Sequence, residues 1–185
     1  MFDTFTEQGF VLTHIESYRS GGGVRYAPIF VKSQGAAFTA YHGRSASEHQ
    51  KLFDELTKDG WRPVNISPVV VGGDRTYAAL YKKQDVGSYL AKSNLTLAEY
   101  QTQFEQNKKA ERRLVYLNAY TDGNEAKLSA IWHQKPPATL SARHGLSSSQ
   151  YQAEFDTQLA KGFLTRVVTG YEVNNEHRFA AFWTK

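Results

Sequence analysis

One step length governs this sequence: chemically similar residues recur every 51 positions, through four units, without an insertion. Phe2, Phe53, Phe104 and Phe155 form one such column (53 − 2 = 51). Ile15, Ile66, Leu117 and Val168 form a second, Tyr26, Tyr77, Leu128 and Phe179 a third, and Phe30, Tyr81, Trp132 and Trp183 a fourth. Ala27, Ala78, Ser129 and Ala180 add a column of small residues. A fixed period of this length is the signature of a repeat architecture, in which one supersecondary unit is stacked because it cannot bury its own apolar face. The register divides the chain into a partial unit over residues 1–35 and full units over 36–86, 87–137 and 138–185, expected to fold together as a single repeat domain.

The local signals agree from unit to unit. Ser45, Thr96 and Ser147 are followed three residues later by Glu48, Glu99 and Gln150. That spacing predicts a capping box, in which hydroxyl and carboxylate or amide satisfy each other's orphan backbone donors. A helix should follow, with Leu146, Tyr151, Phe155 and Leu159 on its apolar face in the last unit. Gly9, Gly60 and Gly162 sit where a left-handed helix stop is wanted. Glu111 fills that slot in the third repeat, so its helix is expected to run on or to end irregularly. Two strand-like runs then flank Gly21-Gly22-Gly23, Gly72-Gly73-Asp74, Asp122-Gly123-Asn124 and Asn174-Asn175, residues that accept a hairpin turn. Tyr77-Ala78-Ala79-Leu80-Tyr81 is apolar on both faces and should be covered on both. A short third strand is expected at Phe38 to Tyr41, Tyr89 to Lys92 and Leu140 to Arg143. The predicted fold is α+β: four tandem 51-residue units, each a short antiparallel β-meander plus one capped helix. The spacing is compatible with an open stack and with a propeller-like ring.

Composition excludes several chemistries. The chain has 185 residues and no cysteine, which removes disulfides, thiolate catalysis and Cys-based zinc sites. Its 22 Lys and Arg against 18 Asp and Glu give a net charge of +4, too mild and too scattered to call for nucleic acid. No apolar run approaches the roughly 20 residues of a membrane span. The first residues carry no basic stretch followed by an apolar one, so no signal peptide is expected on this chain.

The run from Ala142 through Asp156, with Gly162, Tyr171 and Phe179-Ala180-Ala181-Phe182-Trp183, resembles the bacterial tandem repeat domain. This module of about fifty residues accompanies β-lactamase-like serine hydrolases, including polyglycine hydrolases. The resemblance spans essentially the whole chain and is weakest between Leu114 and His133. It implies a secreted or cell-surface setting and no established activity in the repeats themselves. The hydrolase's own signature is missing, since no serine has a lysine three residues on. Tyr116-Leu117-Asn118 fits the Tyr-x-Asn element only superficially, because the repeat register puts it inside a strand.

The remaining candidates follow from the columns. His42 and His144 are repeat equivalents, each followed by glycine, with Arg143 beside the second; they could offer hydrogen bonds at a ligand surface or simply shape the turn before each cap. Tyr18, Tyr120 and Tyr171 share a column near the hairpin, with Val69 as the exception, and could be exposed platforms or lids on the core. These six residues, Tyr18, Tyr120, Tyr171, His42, Arg143 and His144, are the candidate binding set. His14, His49, His133 and His177 fall in unrelated columns without zinc spacing, so neither a metal nor another cofactor is expected. Asp3, Asp54, Glu105 and Asp156 recur as a solvated helix face, and Lys108-Lys109-Ala110-Glu111-Arg112-Arg113 reads as a solvated helix end. Together these point to a non-catalytic repeat module for a polymer, glycan or protein partner. A hydrolase with a site between units, using His144, Asp156 and a nearby serine, and a structural spacer are the rivals.

Overall fold

The computed structural model describes residues 2–33, 35–136 and 138–185. It contains four small antiparallel sheets and four helices. The first repeat holds α1 (Phe2–Glu7) and the hairpin β1 (Phe10–Ser20) and β2 (Gly23–Lys32). The second holds β3 (Phe38–Ser45), α2 (Ala46–Lys58), β4 (Trp61–Val71) and β5 (Asp74–Lys83). The third repeats the series as β6 (Tyr89–Leu95), α3 (Leu97–Lys109), β7 (Arg113–Asp122) and β8 (Glu125–His133). The fourth has β9 (Leu140–Leu146), α4 (Ser148–Ala160), β10 (Leu164–Val173) and β11 (Glu176–Thr184). The strand before each helix joins the hairpin that follows that helix, so the sheets read β3-β5-β4, β6-β8-β7 and β9-β11-β10. The predicted third strand is therefore the first of its unit, and it is longer than the apolar run, because it continues past a bulge to the helix cap.

The capping boxes form as the spacing predicts. Ser45, Thr96 and Ser147 each accept the N–H of Glu48, Glu99 or Gln150 while the later side chain accepts the cap's own N–H. All three helices have 13 residues. The third repeat's helix does not run on: Glu111 takes the left-handed conformation itself, at φ +56° where the other repeats have glycine. A side chain in that region costs about 1 kcal/mol or more, because Cβ crowds the following carbonyl. Glu111→Gly is therefore expected to raise stability by about 1 kcal/mol, less some added freedom of the unfolded chain. Urea denaturation of the two proteins reads this directly, and a loss of stability would show that the carboxylate contributes more than the strain removes.

The helix face differs in detail from the apolar pattern. Leu159 is 52% exposed, whereas Gln158, one position earlier, is buried and bonded to Glu154. The corresponding residue of α3, Asn107, is buried too. The four-residue step to Leu159 overshoots the stripe that Tyr151 and Phe155 define, and the three-residue step to Gln158 stays on it. The acidic column is exposed throughout, with Asp54, Glu105 and Asp156 each accepting from the glutamine one turn earlier.

Contacts divide the chain into two compact units, Met1–Asp85 and Val86–Lys185, each made of two repeats. In the first, Leu12 and Ile15 of repeat 1 pack with Ala78 and Leu80 of repeat 2. In the second, Leu114, Leu117 and Trp132 of repeat 3 pack with Ala180 and Phe182 of repeat 4. The last strands of repeats 2 to 4 are covered on both faces, as their apolar sequence requires, and the small alanines let the facing sheet approach. The exception is β2, which has no third strand beside it among the described residues and alternates between half-buried and exposed.

That open edge carries a proline. Ile15 turns its N–H away from β2, donating to Asn65 Oδ1 at 2.6 Å, so its pairing with Pro28 is of the non-hydrogen-bonded kind. Pro28 consequently directs its nitrogen to the open side. The corresponding residues Ala79, Ala130 and Ala181 face Tyr41, Lys92 and Arg143 of their third strands. The hairpin that lacks a third strand among the described residues thus has a residue without an N–H at the centre of β2, which blunts that edge against further pairing.

Candidate functional site

Tyr120 and Tyr171 each meet the strand before the helix at its bulge. In repeat 3, Tyr120 donates to the Ser93 carbonyl at 2.9 Å, where β6 shifts register between Lys92 and Leu95. Tyr171 holds the corresponding place beside the Gly145 backbone in repeat 4. Both rings are buried, and burial pushes the Tyr171 phenol above its ordinary value, with the Gly145 backbone and Arg178 acting the other way. Among the described residues no third strand lies beside the β1–β2 hairpin, and Tyr18 is 47% exposed. Of the tyrosine column, only Tyr18 presents its ring to solvent.

The histidines sit in these bulges. His42 and His144 precede Gly43 and Gly145, whose positive φ of +66° and +71° lets the strand take up an extra residue before the cap. The bulge re-aims each imidazole into a groove between the two repeats of its unit. In the first unit the groove, about 510 Å³, lies among Phe2, Tyr26, Phe30, Tyr41, His42 and Arg44. His42 leans on the Tyr26 ring at 4.6 Å. In the second unit a groove of about 410 Å³ lies among Tyr100, Gln101, Phe104, Arg143 and His144. Phe2 and Phe104 belong to one repeat column, as do Ala40 and Ala142 and His42 and His144, whereas the other walls differ: the β1–β2 hairpin in the first groove and α3 in the second.

The electrostatics of the grooves are simple. Burial lowers the His144 pKa, which keeps the ring neutral at pH 7. Its Nε2 lies 3.4 Å from Gln101 Oε1, and its ring meets Tyr100 edge-on at 5.4 Å. Positive charge comes from the arginines at the rim. Arg143 is held at 3.4 Å by Glu154, and Arg44 at 3.8 Å by Glu48. Such a surface offers aromatic faces, neutral imidazole and a guanidinium. Among the described residues His144 has no serine or carboxylate partner that would make a nucleophile–base pair with it. Among the described residues no group of three or more His, Asp or Glu side chains could hold a metal ion. No helix is long and apolar enough to cross a membrane.

The structure thus brings His42 together with Tyr26 and Arg44, and Arg143 together with His144, while placing Tyr18 apart and Tyr120 and Tyr171 in the core. Tyr100, Gln101 and Phe104 line the second groove and are absent from the set read from sequence. Tyr100 shares a helix column with His49 and Tyr151, and Phe104 one with Phe2, Phe53 and Phe155, but periodicity alone assigns both columns to a core.

A search of curated proteins finds no match to the chain. The family model for the polyglycine hydrolase-like structural repeat matches it four times in succession, over residues 1–33, 35–84, 87–135 and 138–185. These spans follow the sheet-and-helix units described above and cover nearly the whole sequence. The chain therefore belongs to the polyglycine hydrolase-like structural repeat family.

Proposed function

We propose that this chain is a non-catalytic binding module whose two grooves hold segments of an extended polymer, either peptide or glycan. The observation that carries the reading is that each unit sets a bulge imidazole and a phenylalanine of one repeat column in a groove between its two repeats, with a guanidinium among the lining residues. Repeated equivalent sites suit a repeating ligand, since two linked contacts raise affinity without any single one being strong. Aromatic walls supply area at low entropic cost, and the imidazoles and guanidiniums supply orientation. The family membership supports a role as accessory to a serine hydrolase, with the repeats holding substrate near a separate active site.

Binding to arrays of unstructured peptides and oligosaccharides tests this. Arg143→Ala and His144→Ala are each expected to weaken the strongest hits by about tenfold, the scale of one lost charge-assisted or desolvated hydrogen bond. Tyr18→Ala, outside the grooves, should leave those hits unchanged. The reading is wrong if no array component binds, or if the groove variants bind like the parent. Turnover of a hydrolase substrate that His144→Ala abolishes would instead reveal a catalytic site.

A further inference from the structure

The third repeat departs from its siblings at one place, the exit of α3. The helix-stop glycine is replaced by Glu111, and the next residue is Arg112, where the other repeats have Phe10, Trp61 and Phe163. Two local rules broken side by side in one repeat of four mark a position shaped by something other than folding.

The substitutions converge on a pocket of about 380 Å³. Its floor is apolar, formed by Phe104, Leu114 and Trp132, and its walls carry Lys108, Arg112 and Arg113. Both guanidiniums are pinned through Nε alone. Arg112 donates to Oδ1 of the buried Asn107 at 2.6 Å, and Asn107 is itself fixed through Nδ2 to the Gln103 carbonyl at 2.7 Å. Arg113 donates to the Pro136 carbonyl. The terminal Nη groups of both carry no hydrogen bond among the described residues, and neither these arginines nor Lys108 enters an ion pair there. Glu111 lines the same pocket as the single acid, so three cations face one carboxylate. Burial, and after it the charge of Arg166, lowers the Arg113 pKa.

We propose that this pocket binds a carboxylate carried on an apolar body, such as an aromatic or branched amino-acid residue at a chain end. The free Nη pairs form forks matched to a planar carboxylate, and the orientation is paid in advance by the Asn107 and Pro136 anchors. The floor accepts an aromatic or branched side chain, which a bare inorganic anion does not need. The site stands without the polymer reading, although it abuts the second groove through Phe104 and Lys108.

The test uses three probes on the intact chain followed by NMR: N-acetyl-phenylalanine, N-acetyl-phenylalanine amide and inorganic phosphate. The carboxylate form should bind saturably, shifting the Trp132 indole signal, and the amide at least tenfold more weakly. Raising salt should weaken the carboxylate form but not the amide. Arg112→Gln and Arg113→Gln should each cost the carboxylate about tenfold, with unchanged thermal midpoints confirming the fold; Arg112→Lys, which keeps the charge but loses the Nε anchor, should cost nearly as much. Equal binding of acid and amide overturns the proposal. So does phosphate binding as tightly as the acid, which would leave an anion site without an apolar preference. No saturable shift with the acid sinks it outright. If either glutamine variant fails to fold, the acid–amide comparison on the unaltered chain still decides.

Discussion

Lowering the pH from 7 to 5 should cost the N-terminal pair of repeats about 2 kcal/mol of stability, and His49→Tyr should remove most of that loss. His49 is the buried member of the α2 face, 6% exposed, stacked flat on Tyr77 at 4.3 Å. Its Nδ1 lies 2.7 Å from the Tyr41 hydroxyl, which also meets the Tyr81 hydroxyl at 3.0 Å. Among the described residues no carboxylate pairs with the ring to offset the burial of a charge. Burial accordingly lowers its pKa from 6.5 to about 4, and pushes the Tyr41 phenol up to about 12. The depressed pKa fixes the sign. Above pH 6.5 the ring is neutral in both states and stability is complete. Between 6.5 and 4 the unfolded chain takes up a proton that the folded one refuses, so stability falls, and below about 4 the loss levels off near 3 kcal/mol. The equivalent residues are Tyr100 and Tyr151, so tyrosine is the substitution the repeat already accommodates. Urea midpoints of parent and variant at pH 7, 6 and 5 measure the difference while most carboxylates remain ionised. An unchanged pH slope in His49→Tyr would place the acid sensitivity elsewhere.

Most of the fold was legible because it is local. The capping boxes depend on residues three apart, the hairpins on two-residue turns such as Asn174-Asn175 at φ +53° and +59°, and the helix stops on one residue. Fourfold repetition then separated these signals from chance. What the periodicity could not supply was anything that relates one repeat to another. Tyr120 and Tyr171 look alike as platforms or as lids, and only the bulge each one meets decides between them. Gln158 and Asn107 look like solvated positions, yet they lie on the buried stripe, where each bonds one turn back within its helix and Asn107 also accepts from Arg112. His42 and His144 were legible as equivalents; that each faces a groove depends on which repeat packs against it. The basic run at the exit of α3 read as a solvated helix end because neither the Asn107 anchor nor the apolar floor is visible in sequence.

The pairing of repeats rests on a seam of side chains, and cutting one tooth of it should cost about 2 kcal/mol. The edges of β1 and β4 meet without a backbone ladder. Instead Ser17 N–H donates to Ser67 Oγ at 2.8 Å, Ser17 Oγ donates to the Ser67 carbonyl at 3.2 Å, and Ser67 Oγ donates to Glu16 at 3.0 Å. The second unit uses the same position: Ala119 N–H donates to Thr169 Oγ1 at 3.1 Å, and Thr169 Oγ1 donates back to the Ala119 carbonyl at 3.4 Å. The bonds between Ser17 and Ser67 and between Ala119 and Thr169 span 50 residues rather than 51, because the two edges meet one residue out of repeat register. A search for identical columns therefore cannot find them. In each case the even-numbered repeat supplies the hydroxyl and the odd-numbered one the N–H. Ser17 and Ala119 are both buried, so an N–H left there without an acceptor loses its full desolvation, about 1–3 kcal/mol. Ser67→Ala and Thr169→Val remove the acceptor with little change of volume, and each should destabilise its own unit by about 2 kcal/mol. Hydrogen exchange localises the effect: the Ser17 amide should lose protection in the first variant and the Ala119 amide in the second, with the hairpin amides inside each sheet less affected. If both amides stay protected while stability falls, the cost comes from packing and the seam is not what joins the repeats.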